Sequence, residues 1–214
     1  MTTASAALEP LTAIDAIHRR RSVRSYLPDS VDEATVRWLL DAAVHAPTGM
    51  HTEPWEFVVV QDREIMRRIS DRAKAMAVAE ATAHRELLRA PGAAPSGRLL
   101  AHLSDSEFNI FYDAGTLIVI CAERVGEFVD ADCWLAAENL MIAASAIGLG
   151  TCCIGFALPA LHTAEIEHDL GIPDDTKAVA AIILGIPRGV TPVVTRKPPR
   201  ILRWLKPFGR AVGA

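Results

Sequence analysis

The chain has 214 residues, 50% of them hydrophobic and 22% charged, with a formal net charge of -4 at pH 7. That length gives one large domain or two small ones with a real core. The acidic balance argues against a nucleic-acid binder, which needs a basic surplus to displace counterions.

In chain order, residues 1–10 (MTTASAALEP) have neither the basic start nor the apolar stretch of a secretory signal. A helix is predicted from Thr12, its cap, to about Arg20, with Asp15 three residues after the cap. At its end stands Arg19-Arg20-Arg21-Ser22-Val23-Arg24. Guanidinium forks grip phosphate oxygens bidentately and a hydroxyl adds a donor, so the run reads as a site for a small, specific anion. The plainer reading is a solvated basic helix end, favoured beside the negative end of the dipole. Residues 22–27 are predicted extended, closed by Pro28.

Asp32 caps a second predicted helix with Val36, Leu39, Leu40, Ala43 and Val44 on one face, ending at Pro47. A polar loop, 46–55, then leads into a strand over Glu56–Gln61 that reads as buried on both faces. A loop hinged by Pro and Gly against a buried strand is a common place for ligand contacts, and also an ordinary connection. Residues 62–90 read as helical and Pro91–Gly97 as a break, with a short helix over Ser106–Asp113. Together 74–107 form an excursion from the core and a possible lid.

Thr116–Glu123 is a second buried strand, and Asp130–Ile147 a core helix apolar nearly all round, stopped by Gly148 and Gly150. Thr151–Gly155 is a short strand or turn, Pro159–Leu170 another helix, and Lys177–Gly185 a third buried strand. Residues 187–214 carry no core pattern and must lie on something, a partner subunit being the natural candidate. Apolar runs such as 140–149 are too short to cross a bilayer. Cys121, Cys133, Cys152 and Cys153 show no metal-type spacing and read as structural thiols of a reducing cytoplasm. GxGxxG after a strand, GxxxxGK[ST], HExxH and GxSxG are all absent.

Four motifs, RRRSVRSY (19–26), APTGMHTEPWEFVVV (46–60), ENLMIAASAIGLGTCCIG (138–155) and IILGIPRG…TRKP (182–198), resemble the nitroreductase family of flavin enzymes over nearly the whole chain. The resemblance implies an α+β fold, a mixed central sheet wrapped by helices, as one FMN-binding domain over residues 1–214. It also implies an intertwined homodimer with one non-covalent FMN in each interfacial site. Electrons would pass from NAD(P)H, as hydride through flavin N5, to a small organic acceptor such as a nitroaromatic or quinone.

Carried over by position, the resemblance implies that Arg20 and Ser22 hold the phosphate and ribityl end, with Arg21 contributing mainly backbone. Arg24 reaches the pyrimidine edge, where a cation stabilises the charge of reduced flavin. Pro47, Thr48, Gly49 and His51 come from the other subunit. Cys153, Ile154 and Gly155 face the ring, with the Ile154 backbone N–H near N5; Asn109 bonds the pyrimidine edge, and Arg196 returns to the phosphate. His51 and Glu53 depart from the asparagine and glutamine usual in the family. His51 can still donate a hydrogen bond, and an inward Glu53 would disfavour anionic acceptors. No side chain need act as acid or base, because the chemistry is the flavin's. The alternatives are another flavin reaction on this scaffold (reductive dehalogenation, dehydrogenation or flavin destruction), an FMN-binding protein without turnover, and a binder of another phosphorylated ligand.

Overall fold

A computed structural model describes residues 11–88 and 101–205. The expectations for residues 1–10, for the Pro91–Gly97 break and for the end of the tail lie outside these residues. Helices α1 (Ala13–Arg19) and α2 (Glu33–Val44) precede strand β1 (Trp55–Val60) and helix α3 (Arg63–Leu88). Strand β2 (Thr116–Glu123), helix α4 (Val129–Ala146) and strand β3 (Gly150–Cys153) follow. Then come α5 (Leu158–Leu161), α6 (Ala164–Leu170) and β4 (Thr176–Gly185).

The strands form a sheet in the order β1-β2-β4-β3, each neighbouring pair antiparallel. An isolated parallel bridge, Ser22 to Thr151, and an antiparallel one, Tyr26 to Pro187, attach the extended 22–28 segment at the β3 side. Side chains of a strand alternate between faces, so β2 serves two cores. Leu117, Val119 and Cys121 join Ile69, Phe111 and Leu161 on one side, while Ile118, Ile120 and Ala122 meet Leu39, Ala136 and Leu140 on the other. Each fully buried Leu or Ile contributes about 1.5–3 kcal/mol of transfer free energy. The result is the expected α+β arrangement of a central sheet wrapped by helices.

The local signals explain the helix starts. Thr12 Oγ1 accepts the Asp15 N–H at 3.2 Å, and Asp32 Oδ1 accepts the Thr35 N–H at 2.9 Å. The latter bond holds the Asp32 carboxyl below its ordinary range. In α2, Val36, Leu39 and Ala43 are buried and Leu40 half-buried, while Val44 is exposed.

Four expectations change. β1 is an edge strand, paired only with β2 among the described residues, and its faces are incompletely covered, so Glu56 is exposed and Val59 is 40% exposed rather than buried. Residues 106–113 form turns, not a helix: Tyr112 and Asp113 have φ of 51° and 56°, incompatible with a right-handed helix. The helix over Pro159–Leu170 is two helices, because Thr163 has the extended φ/ψ of a new N-cap (-86°, 138°). Gly148, at φ +80°, ends α4, whereas Gly150 already belongs to β3.

The 74–107 stretch is less of an excursion at its root than its composition implied. Lys74, 6% exposed, donates to the carbonyls of Phe108 at 2.7 Å and Asp105 at 3.1 Å and pairs with Asp71 at 3.1 Å. Ser70 Oγ accepts the Ile110 N–H at 3.1 Å. These bonds tie the 105–113 turns to α3.

Candidate active site

The arginine-bearing segment is seated by two glycines. A Cβ on Gly150 would lie 2.8 Å from Val23, and one on Gly185 2.8 Å from the Tyr26 ring. Their absence lets 22–28 press against the ends of β3 and β4. Val23 N–H then donates to Thr151 O at 3.0 Å and Leu27 N–H to Ile186 O at 2.9 Å. The buried Tyr26 hydroxyl donates to Val23 O at 2.8 Å, and burial pushes its pKa far above the ordinary phenol value.

On this seat Arg20, the C-cap of α1, directs Nε to Glu138 Oε1 at 3.4 Å. Arg19, Arg20 and Arg21 border a cleft of about 270 Å³ with Gly148, Thr151 and Gly189. Arg21 turns its Nη1 back onto the carbonyls of His18 and Arg20, both at 2.8 Å, so its side chain serves the local backbone. Ser22 is exposed on the bridge to Thr151. Arg24 lies over the Tyr112 ring, 5.9 Å from its centroid, a cation–π distance. Both Arg24 and Asn109 border a second cleft, of about 490 Å³.

Asn109 is less available than expected. Its Nδ2 donates to Asp113 at 3.1 Å and its Oδ1 accepts the Phe111 N–H at 2.9 Å, closing the turn rather than presenting a free amide. The Ile154 N–H expected near N5 is also committed: it donates to Ala181 O at 2.8 Å, extending the β3–β4 ladder. The next donor, the Gly155 N–H, begins a 3-10 turn and has no partner among the described residues. A Cβ on Gly155 would meet nothing within 4 Å, so a flat ring has room to approach the backbone there. Cys153 is half-buried and Ile154 buried beside it. Burial pushes the thiols of Cys152 and Cys153 above their ordinary pKa, which keeps them protonated and poor nucleophiles.

The loop carrying Pro47, Thr48, Gly49 and His51 stands apart. Among the described residues no hydrogen bond or ion pair joins it to 19–24. The Gly49 N–H is shared by the two carboxylate oxygens of the buried Asp132, each at 3.2 Å. Met50, His51 and Glu53 adopt φ of 55°, 57° and 46°, all in the left-handed region. Such strain persists only where the surroundings impose it. His51 and Glu53 are exposed, and so is Arg196 on the extended segment after β4.

Sequence reasoning missed Glu138, Asp132 and Tyr112. Glu138 opens the ENLMIAAS motif, but its pairing with Arg20 had no local signal. Asp132 sits in the first turn of α4, where an acidic residue ordinarily means only a favourable dipole.

A model of the nitroreductase family matches residues 17–186. The 4-nitrobenzoate reductase of Nocardioides sp. (strain LMS-CY) is 29% identical, covering 90% of this chain and 89% of that protein. The iodotyrosine deiodinase of Thermotoga neapolitana is 23% identical, covering 85% of this chain and 92% of that protein. The crystal structure of a nitroreductase with bound FMN from Bacteroides fragilis NCTC 9343 shares the fold, with a TM-score of 0.74 and 24% identity. It covers 89% of this chain and 97% of its own. Among the described residues no helix is long and apolar enough to cross a membrane, and no His, Cys, Asp and Glu cluster could hold a metal.

Proposed function

The chain belongs to the nitroreductase family, and from that premise we propose that it is an FMN-dependent oxidoreductase that transfers electrons from NAD(P)H to a small organic acceptor, a nitroaromatic or a quinone. The observation that carries the reading is the pairing of a cationic cleft at Arg19–Arg21 with an open backbone at Gly155 that has a spare N–H. One suits a phosphate and the other a flat heterocycle. FMN, when bound, supplies the two-electron chemistry.

The chain's own residues bind, orient and tune. Arg20 and Ser22 take the phosphate and ribityl end, with Arg196 closing over the phosphate. Arg24 sets a permanent positive charge at the pyrimidine edge, where Tyr112 supports its guanidinium. Asn109 shapes that edge through its turn. Cys153 and Ile154 line the ring, and the Gly155 N–H takes the donor role first expected of Ile154. No residue is asked to move a proton, and the raised thiol pKa values keep the cysteines out of the reaction.

Pro47, Thr48, Gly49 and His51 serve the site of a second copy, in one domain per chain within a homodimer. Exposed apolar side chains support this: Trp38 on α2, Trp134 and Leu135 on α4, and Trp204 on the tail are each at least 41% exposed. A second reading, reductive dehalogenation on the same scaffold, is favoured by the likeness to a protein named as an iodotyrosine deiodinase.

The test is the visible spectrum of the purified protein, followed by NADPH or NADH without oxygen. Flavin bands that bleach support a reductase. Bands that persist favour a binding protein, and a colourless protein unable to take up FMN overturns the assignment. Turnover of nitroarenes against iodinated phenols then separates the two reactions.

A further inference from the structure

The 490 Å³ cleft beyond Arg24 holds more positive charge than cofactor binding uses. Arg24, Arg63 and Arg188 all border it, against the carboxylates of Glu107 and Asp113. The three guanidiniums are spaced along one strip of backbone. Arg24 Nη1 is 3.5 Å from Ser22 O, Arg188 Nε donates to Tyr26 O at 3.1 Å, and Arg63 Nη2 donates to Pro28 O. A guanidinium has five N–H donors, and these bonds use one apiece. None of the three forms an ion pair among the described residues. Asp113 is engaged by the Asn109 amide, and Glu107 by the Ser106 hydroxyl at 3.4 Å. The opposite wall is aromatic: Phe108 and Tyr112 meet edge to face with centroids 5.7 Å apart.

We propose that this cleft receives the carboxylate of an aromatic acid acceptor, with Arg63 and Arg188 as its anion-holding residues. The inference rests on the proposed function, which places Arg24 at the flavin's pyrimidine edge. Arginines whose guanidiniums are already held by backbone carbonyls, with further N–H donors free, match a planar carboxylate bidentately and lose little freedom on binding it. Apolar ring faces beside a few convergent polar groups, in a volume of this size, are what a one-ring ligand fills. An acid seated here has its ring beside Phe108 and Tyr112, in a cleft whose border includes Arg24.

The test is calorimetric titration of the FMN-loaded protein with benzoate and with benzamide, which differ in charge and not in shape. Benzoate binds at least about tenfold tighter, the scale of a hydrogen bond to a charged group. Arg63→Gln removes most of that preference at unchanged FMN content; Arg188→Gln also removes it, and Arg188→Lys keeps part of it. Steady-state KM follows the same pattern, rising for 4-nitrobenzoate and not for 4-nitrobenzamide. Equal binding of benzoate and benzamide overturns the proposal. So does an effect of the variants confined to the KM of NADPH, which would make the donor's phosphate the bound oxyanion. Because benzoate is not reduced, calorimetry still reads the cleft in a protein that proves to have no reductase activity.

Discussion

The Arg20 guanidinium meets the Glu138 carboxylate at 3.4 Å, joining the end of α1 to the middle of α4. Glu138 is about half exposed, so the pair itself stabilises the fold by no more than about 1 kcal/mol. Its effect is on orientation: it fixes a guanidinium at the border of the smaller cationic cleft. Arg20→Ala is therefore expected to weaken FMN binding by about 1.5–3 kcal/mol, with little change in the melting temperature of the flavin-free protein. Fluorescence titration of the apoprotein measures this, and an unchanged flavin affinity removes Arg20 from the site.

Asp132 supports a loop with three non-glycine residues in left-handed conformations. Asp132→Ala strips the Gly49 N–H of its acceptor at a cost of about 1–3 kcal/mol, whereas Asp132→Asn keeps an oxygen there and loses less. Thermal denaturation of both variants checks the order. If they melt together, loop support is not the role of Asp132.

Lys74 plays the equivalent part for the 105–113 turns. Lys74→Met preserves the apolar stem but leaves the carbonyls of Asp105 and Phe108 without their donor. A loss of about 1–3 kcal/mol is expected, together with faster amide exchange at Ile110 and its neighbours. Exchange unchanged across 105–113 would show that Ser70 alone holds the turns.

Assembly is tested by light scattering. The expected species has twice the 23.1 kDa chain mass. Trp38→Glu, on the exposed face of α2, is expected to shift it toward monomer and to release flavin with it. A monomer that keeps full flavin would rule out a shared site.

What the sequence shows and conceals follows from how local each cause is. α2 is legible because its cap and its buried face lie within twelve residues. β2 and β4 are legible because a short, bounded run of seven or more apolar or small residues, rich in Val and Ile, suits a strand buried on both faces. β1 misleads for the same reason: Phe57, Val58 and Val59 look equally buried whether or not a second layer covers them. The 106–113 turns are set by Lys74, more than thirty residues upstream, which carries no local signal. At the site, arginines announce an anion by their chemistry alone. Whether the Ile154 or the Gly155 N–H is free depends on the register of β3 against β4, which no single residue encodes.

The seating of 22–28 bears on the order of events during synthesis. The segment's partners are Thr151, Ile186 and Arg188, and the Arg188–Tyr26 bond spans 162 residues. While the chain is emerging from the ribosome, the segment is made early, but two of its three partners, Ile186 and Arg188, follow only after β4. Contacts of such sequence separation close late and slowly. The proposed phosphate site is thus among the last parts to mature, and a nascent chain truncated before β4 should fail to retain flavin however well its helices have formed.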